Sequence, residues 1–180
     1  MNACVYVSRD GLARLESELR RMESEFRELC DERTTACELA GDGWHDNPYL
    51  NLLQQREAAK SRELFEQRDL VSRARVVEYA RPERPVVRVE LGSIVELLVT
   101  DNQTGRDESM VWEIVGYGEG DRSVRRIAYT SPMAAAVLGR EVGDMAEATL
   151  PQRQVSVEVV ALHPTWSAAR RSTQPEQGAM

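Results

Sequence analysis

Long apolar runs are missing from this chain of 180 residues, which nowhere offers the roughly 18 to 20 consecutive apolar residues of a membrane span. The opening "MNACVYVSRDG" also lacks the basic segment and apolar stretch of a secretory leader, so a soluble, cytoplasmic protein is expected. Cysteine is scarce. Cys4, Cys30 and Cys37 form an odd set without paired metal-ligand spacing. Cys30 and Cys37 would stand two helical turns apart, about 10 Å along the axis, which is too far for a disulfide. They read as reduced packing thiols. Clustered positive charge is lacking too, and a net charge of −7 argues against a free DNA-binding surface. Any approach to nucleic acid would run through a partner protein.

What is present begins with periodicity. Leu12, Leu15, Leu19, Met22, Phe26 and Leu29 recur at alternating spacings of three and four, which places them on one stripe of a helix. Ser8 precedes them as an N-cap, and the stripe continues through Ala36 and Ala40 to Gly41 and Gly43, which end the helix and turn the chain. Asn47 followed by Pro48 reads as a restart, a capping side chain before a proline at the first helical position. The second helix is expected over about 48–78. Leu50, Leu53, Leu64, Val71 and Ala74 carry its stripe, interrupted by Glu57, Lys60 and Gln67. Two helices of about 30 residues, each about 45 Å long, would pair as an antiparallel coiled coil over 1–80 with its turn at 41–47. Leu19 and Phe26 are expected to be buried in that pairing.

Pro82 and Pro85 stop the second helix and place a linker at 81–85. Beyond it the period changes to two. "VRVELGSIVELLVT", "MVWEIVGY", "VRRIAYT" and "VSVEVVAL" alternate β-branched or aromatic residues between Gly, Asp and Asn, and read as strands of an antiparallel sheet. "SPMAAAVLG" opens with Ser-Pro and closes with glycine, a short helix against that sheet. The fold class is therefore α+β, with a second domain over 86–162. The tail, 163–180, has low hydrophobicity and no period, and is expected to be disordered with Trp166 docking locally.

The turn concentrates the chemistry. Asp42 and Asp46 bring two carboxylates, the oxygen donors that a hard cation such as Mg²⁺ takes. Trp44 in a glycine-rich turn suits a partner contact better than local packing. His45 with the two aspartates could form a transition-metal site of the protein's own, although three candidate ligands in a turn support it only weakly. Arg56, Lys60 and Arg62 form a positive band behind the turn, either solvated pairs of Glu57 and Glu63 or contacts to RNA or a partner's channel.

Residues 9–162 resemble the bacterial Gre transcript-cleavage factors. Asn47 to Val77 aligns with that family's second helix without a gap, and "SPMAAAVLGREVGD" is close to its "SPIARALIGKEEGD". The resemblance implies an FKBP-like C-terminal domain that docks onto RNA polymerase through Thr130, Ser131 and Pro132. It also implies a coiled coil that enters the polymerase secondary channel, where Asp42 and Asp46 would share a Mg²⁺ ion with the polymerase near nascent RNA and DNA. Trp44, His45 and Asn47 would be the tip contacts, and Arg56 and Lys60 would face RNA or the channel. Such a factor would work as a monomer without a cofactor or complete active site of its own.

The tip departs from the family. The family's Gly-Asp-Leu-Ser-Glu-Asn sets its acids three positions apart, whereas Gly41-Asp42-Gly43-Trp44-His45-Asp46-Asn47 sets them four apart and ends on the shorter aspartate. The expectation is regulation of elongation or nucleotide addition with little or no transcript cleavage. Ordinary cleavage stimulation is the alternative. A prolyl isomerase is a remote one, since only two phenylalanines occur and both lie in the coiled coil. A coiled-coil adaptor is another, which would need neither the acidic turn nor the polar interruptions.

Overall fold

The computed structural model describes residues 3–41, 47–79, 87–164, 166 and 169. The chain divides into two compact units, Met1–Val5 with Leu12–Arg75, and Tyr6–Gly11 with Val76–Met180. Strand β1 (Val5–Val7) comes first, followed by helices α1 (Arg9–Ala40) and α2 (Pro48–Arg73) and strand β2 (Ala74–Val76). β1 and β2 form a two-stranded sheet. No described helix is long and apolar enough to cross a membrane.

In the first unit, 32 and 26 residues make rods of about 48 and 39 Å. Helix α1 starts where the Ser8 hydroxyl accepts from Gly11 N–H at 2.9 Å, and Gly41 follows its end at φ 52°, the left-handed region that glycine enters at little cost. Asn47 caps α2 by accepting from Tyr49 N–H at 2.9 Å, with Pro48 at the first helical position. The helices pair antiparallel. Glu25 meets Lys60, Glu23 meets Arg68, Arg33 meets Glu57 and Leu15 O meets Gln67, so partner numbers rise on one helix roughly as they fall on the other. Leu50, Leu53 and Leu64 are buried. Their counterparts Leu12, Leu15, Leu19, Met22, Phe26 and Leu29 are only half-buried, which corrects the expectation of full burial for Leu19 and Phe26: two helices alone leave the flanks of their seam open.

The second unit holds β3 (Ile94–Asp101), β4 (Asp107–Val115), β5 (Arg126–Ala128), α3 (Pro132–Val137), β6 (Met145–Leu150) and β7 (Arg153–His163). The sheet order is β5-β4-β3-β7-β6. Val95, Leu97 and Val99 of β3 and Val155, Val157 and Val159 of β7 alternate onto one face and bury against Ala134 and Val137 of α3. The sheet is mixed rather than wholly antiparallel. β5 runs parallel to β4, with Ile114 beside Ile127, because the excursion over 116–125 returns the chain in the direction of β4.

Three expectations near element ends are corrected. Helix α2 stops at Arg73 rather than 78, since Ala74 turns extended (φ −63°, ψ 137°) and Val77 N–H bonds to Val7 O at 2.8 Å. Residues 76–79 therefore belong to the second unit, ahead of the expected linker at 81–85, which lies outside the described residues. The tail starts one residue later than expected, since His163 ends β7. Trp166 docks locally as expected, packing with Ile94, Val111 and Ala169 on the sheet's other face, and most of the tail lies outside the described residues.

Replacing fully buried Leu53 with alanine is expected to cost about 2–5 kcal/mol. Half-buried Phe26→Ala should fall short of the about 3–5 kcal/mol of a buried phenylalanine. Denaturant unfolding followed by circular dichroism checks the order, and equal costs would contradict the open seam.

Candidate functional site

The polar interruptions of the α2 stripe each find a partner on α1. Glu57 Oε2 lies 2.6 Å from Arg33 Nε, and Glu57 Oε1 accepts from Cys30 Sγ at 3.7 Å. The Arg33 approach is a charge contact without hydrogen-bond alignment, so Nε stays buried with no hydrogen-bond partner. Burial, followed by the Glu57 charge, pushes the Cys30 thiol above its usual range and keeps it protonated. Gln67 Nε2 donates to Leu15 O at 3.2 Å. Lys60, the only lysine in the chain, donates to Glu25 at 3.0 Å and stands 3.7 Å from Glu63. The Glu25 hydrogen bond raises its pKa and keeps it charged.

These pairs decide where the expected RNA or channel contacts sit. Lys60 is engaged across the seam, whereas Arg56 is exposed. Both line an open groove of about 490 Å³ with Glu25, Glu28, Glu32 and Glu63. Four carboxylates against two cations make that groove acidic, which disfavours RNA phosphate in it. Toward the turn, Tyr49 Oη donates to Glu32 of α1, and Asn47 serves as the α2 cap. Asp42, Trp44, His45 and Asp46 lie outside the described residues. Among the described residues no group of three or more His, Cys, Asp or Glu could hold a metal ion.

Thr130, Ser131 and Pro132 occupy the turn from β5 into α3. Ser131 N–H bonds to Ala128 O at 2.8 Å, and its hydroxyl caps α3 by accepting from Ala134 N–H at 3.4 Å. Thr130 and Pro132 are exposed on this anchored turn. Beside it, Tyr6 N–H donates to Tyr129 Oη at 3.3 Å, and the two rings meet edge to face with centroids 6.0 Å apart.

Sequence reasoning missed the group that organises this unit. Glu119 Oε1 accepts from Ser8 N–H at 2.7 Å and from the Ser8 hydroxyl at 2.8 Å, while Oε2 accepts from Tyr79 Oη at 2.6 Å. Tyr79 Oη in turn accepts from Gly116 N–H at 2.5 Å. A Cβ on Gly11 would meet Glu119 Oε1 at 1.8 Å, so any side chain there would push the carboxylate off Ser8. Burial works to raise the Glu119 pKa, but the hydrogen bonds from Tyr79 and Ser8 outweigh it and hold the carboxyl below its usual range. Burial and then the Glu119 contact push the Tyr79 phenol well above its ordinary value. The glycine inside the first turn of α1 was the one local signal of this close approach.

Because the folded-state pKa of Glu119 is depressed, its contribution is fully present above the unfolded value of about 4.3 and is lost as pH falls through the folded value. Glu119→Gln should therefore melt below the unmodified protein at neutral pH, and the gap should narrow as pH falls below the unfolded carboxylate value of about 4.3. A gap that stays constant across thermal melts at each pH would remove the ionised carboxylate from this role.

Comparison with known proteins completes the picture. Residues 84–164 match the family described as "Transcription elongation factor, GreA/GreB, C-term". The transcription elongation factor GreA of Rhodospirillum rubrum is 31% identical over 142 residues, 79% of this chain and 86% of that protein. GreA of Allorhizobium ampelinum is 27% identical over 159 residues, 88% of this chain and 96% of its own. Among solved structures, Gfh1 of Thermus aquaticus is 28% identical and covers 90% of this chain and 99% of its own, with a TM-score of 0.40.

Proposed function

The chain belongs to the Gre family of transcription elongation factors, and from that premise we propose that it binds RNA polymerase and regulates nucleotide addition from within the secondary channel, with little or no transcript cleavage. The observation that supports polymerase binding is the extent of the likeness, while the inhibitory part rests on the altered turn at 41–47. An alignment of 142 residues exceeds either compact unit, so it spans helical hairpin and sheet domain together. In this reading the sheet domain docks through Thr130, Ser131 and Pro132, and the paired helices act as a stiff rod that carries the turn at 42–46 to the polymerase active centre. A rod suits the task because ligands on a flexible tether are not held to a fraction of an ångström.

Asp42 and Asp46 fit a Mg²⁺ ion held jointly with the polymerase, since carboxylate oxygens are its preferred donors and the ion would polarise water and phosphate for hydrolysis. The four-residue spacing and the shorter second acid weaken the reach needed for that chemistry, because a slip of about 1 Å costs about a hundredfold in rate. Trp44, meanwhile, puts a bulky indole where substrate enters. Occupancy then regulates addition, and the polymerase, rather than this chain, remains the enzyme. Stimulation of cleavage is the second reading, favoured by the retention of two carboxylates in the turn.

A backtracked elongation complex incubated with the full chain distinguishes the two. Trp44→Ala should relieve inhibition of nucleotide addition more than Asp42→Asn does. Rapid, Asp42-dependent shortening of the RNA would overturn the inhibitory reading and establish cleavage. Docking is tested separately: Pro132→Ala in the full chain should weaken polymerase binding while leaving the melting temperature nearly unchanged, since Pro132 is exposed. Undiminished binding would remove the Thr130–Pro132 turn from the interface.

A further inference from the structure

Charge is distributed unevenly along the helical hairpin. Of the 25 residues 9–33, 14 are Asp, Glu or Arg, and of the 20 residues 56–75, 10 are charged. Of the 17 residues that flank the turn, 34–41 and 47–55, only Glu38 is charged. The same end exposes apolar surface: Leu39 is 84% exposed, Leu52 42% and Tyr49, whose hydroxyl alone reaches Glu32 of α1, 46%. None of the three lies on the stripe that pairs the helices, where Leu50 and Leu53 are buried instead. A solvated helix end would carry charge here, as the remainder of both helices does.

We infer that Leu39, Tyr49 and Leu52 form an apolar collar that seals the hairpin end against the wall of the polymerase cavity that receives it. The inference rests on the channel-binding reading above and adds which residues make the contact and by what chemistry. A charged side chain carried into a confined cavity loses its hydration without a partner, a cost that the uncharged collar avoids. Exposed leucine and tyrosine instead gain by leaving water on insertion. Phe65 provides the contrast. It is 73% exposed, yet Arg62, Glu66, Arg68 and Asp69 surround it in sequence, the setting of an ordinary solvated helix face.

The test measures binding of fluorescently labelled full chain to purified RNA polymerase by anisotropy. Leu39→Lys places a cation in the last turn of α1 and Leu52→Glu an anion near the start of α2, the signs that the helix dipoles favour, so both variants should keep their helicity and melting temperature. Each should weaken binding about tenfold or more, whereas Phe65→Glu should stay within about twofold. Variants that bind as tightly as the unmodified chain would overturn the collar while leaving the channel-binding reading intact. If the unmodified chain itself does not bind, that reading falls and the collar with it. Light scattering covers the other occupant: a dimer that either collar variant dissociates, with polymerase binding unaltered, would reassign the collar to contacts between two copies of the chain.

Discussion

A single carboxylate sets the frame of the sheet-bearing unit. Glu119 accepts two hydrogen bonds from Ser8, where the chain departs into the helices, and one from Tyr79, soon after it returns. The helical excursion thus leaves and re-enters within reach of one side chain. Gly11 and Gly116 are the steric conditions for this arrangement, since a Cβ at Gly116 would sit 2.5 Å from Tyr79 Oη and 2.8 Å from Val7 Cα. Replacing any one of these groups leaves polar atoms in a half-buried site without partners, which costs more than the bond itself contributed.

The hairpin is specified by a different device. Its apolar stripe is only half-covered on the α1 side, and such a seam alone would permit slippage along the rods. The polar groups Glu57, Lys60 and Gln67 reduce that freedom, because each engages α1 at its own level and a shift by one turn would break all three contacts at once, leaving Glu57 without Arg33. Features that look like defects in a hydrophobic seam therefore fix its register. Register matters for a protein whose proposed work is done at the far end of a rod of about 48 Å.

Much of this was legible in the sequence because the signals are local. The spacing of Leu12 to Leu29, the Asn47-Pro48 restart and the Ser131-Pro132 cap each encode their structure within a few residues. What escaped was non-local. β1 and β2 have three residues each, too few to show a period, and they exist because each pairs with the other across the length of the helical hairpin. The early end of α2 follows from the same competition, since Val76 and Val77 pair with the N-terminal segment instead of extending the helix. Glu119 has no signature of its own, because its partners lie 111 and 40 positions away. At the turn, residue types disclosed the chemistry on offer, while the reach of each carboxylate depends on backbone directions that spacing alone does not encode.

The separation between Ser8 and Glu119 also bears on the order in which the protein is built. The two helices rely on contacts close in sequence and can pair as soon as both have emerged from the ribosome. The acceptor for Ser8 is synthesised 111 residues later, on the order of 10 s at ordinary elongation rates. During that interval Ser8 can cap its own helix through Gly11 but has no carboxylate to lock it. The beginning of the chain is thus among the last parts of the molecule to reach its final surroundings, and its maturation waits on the completion of the sheet.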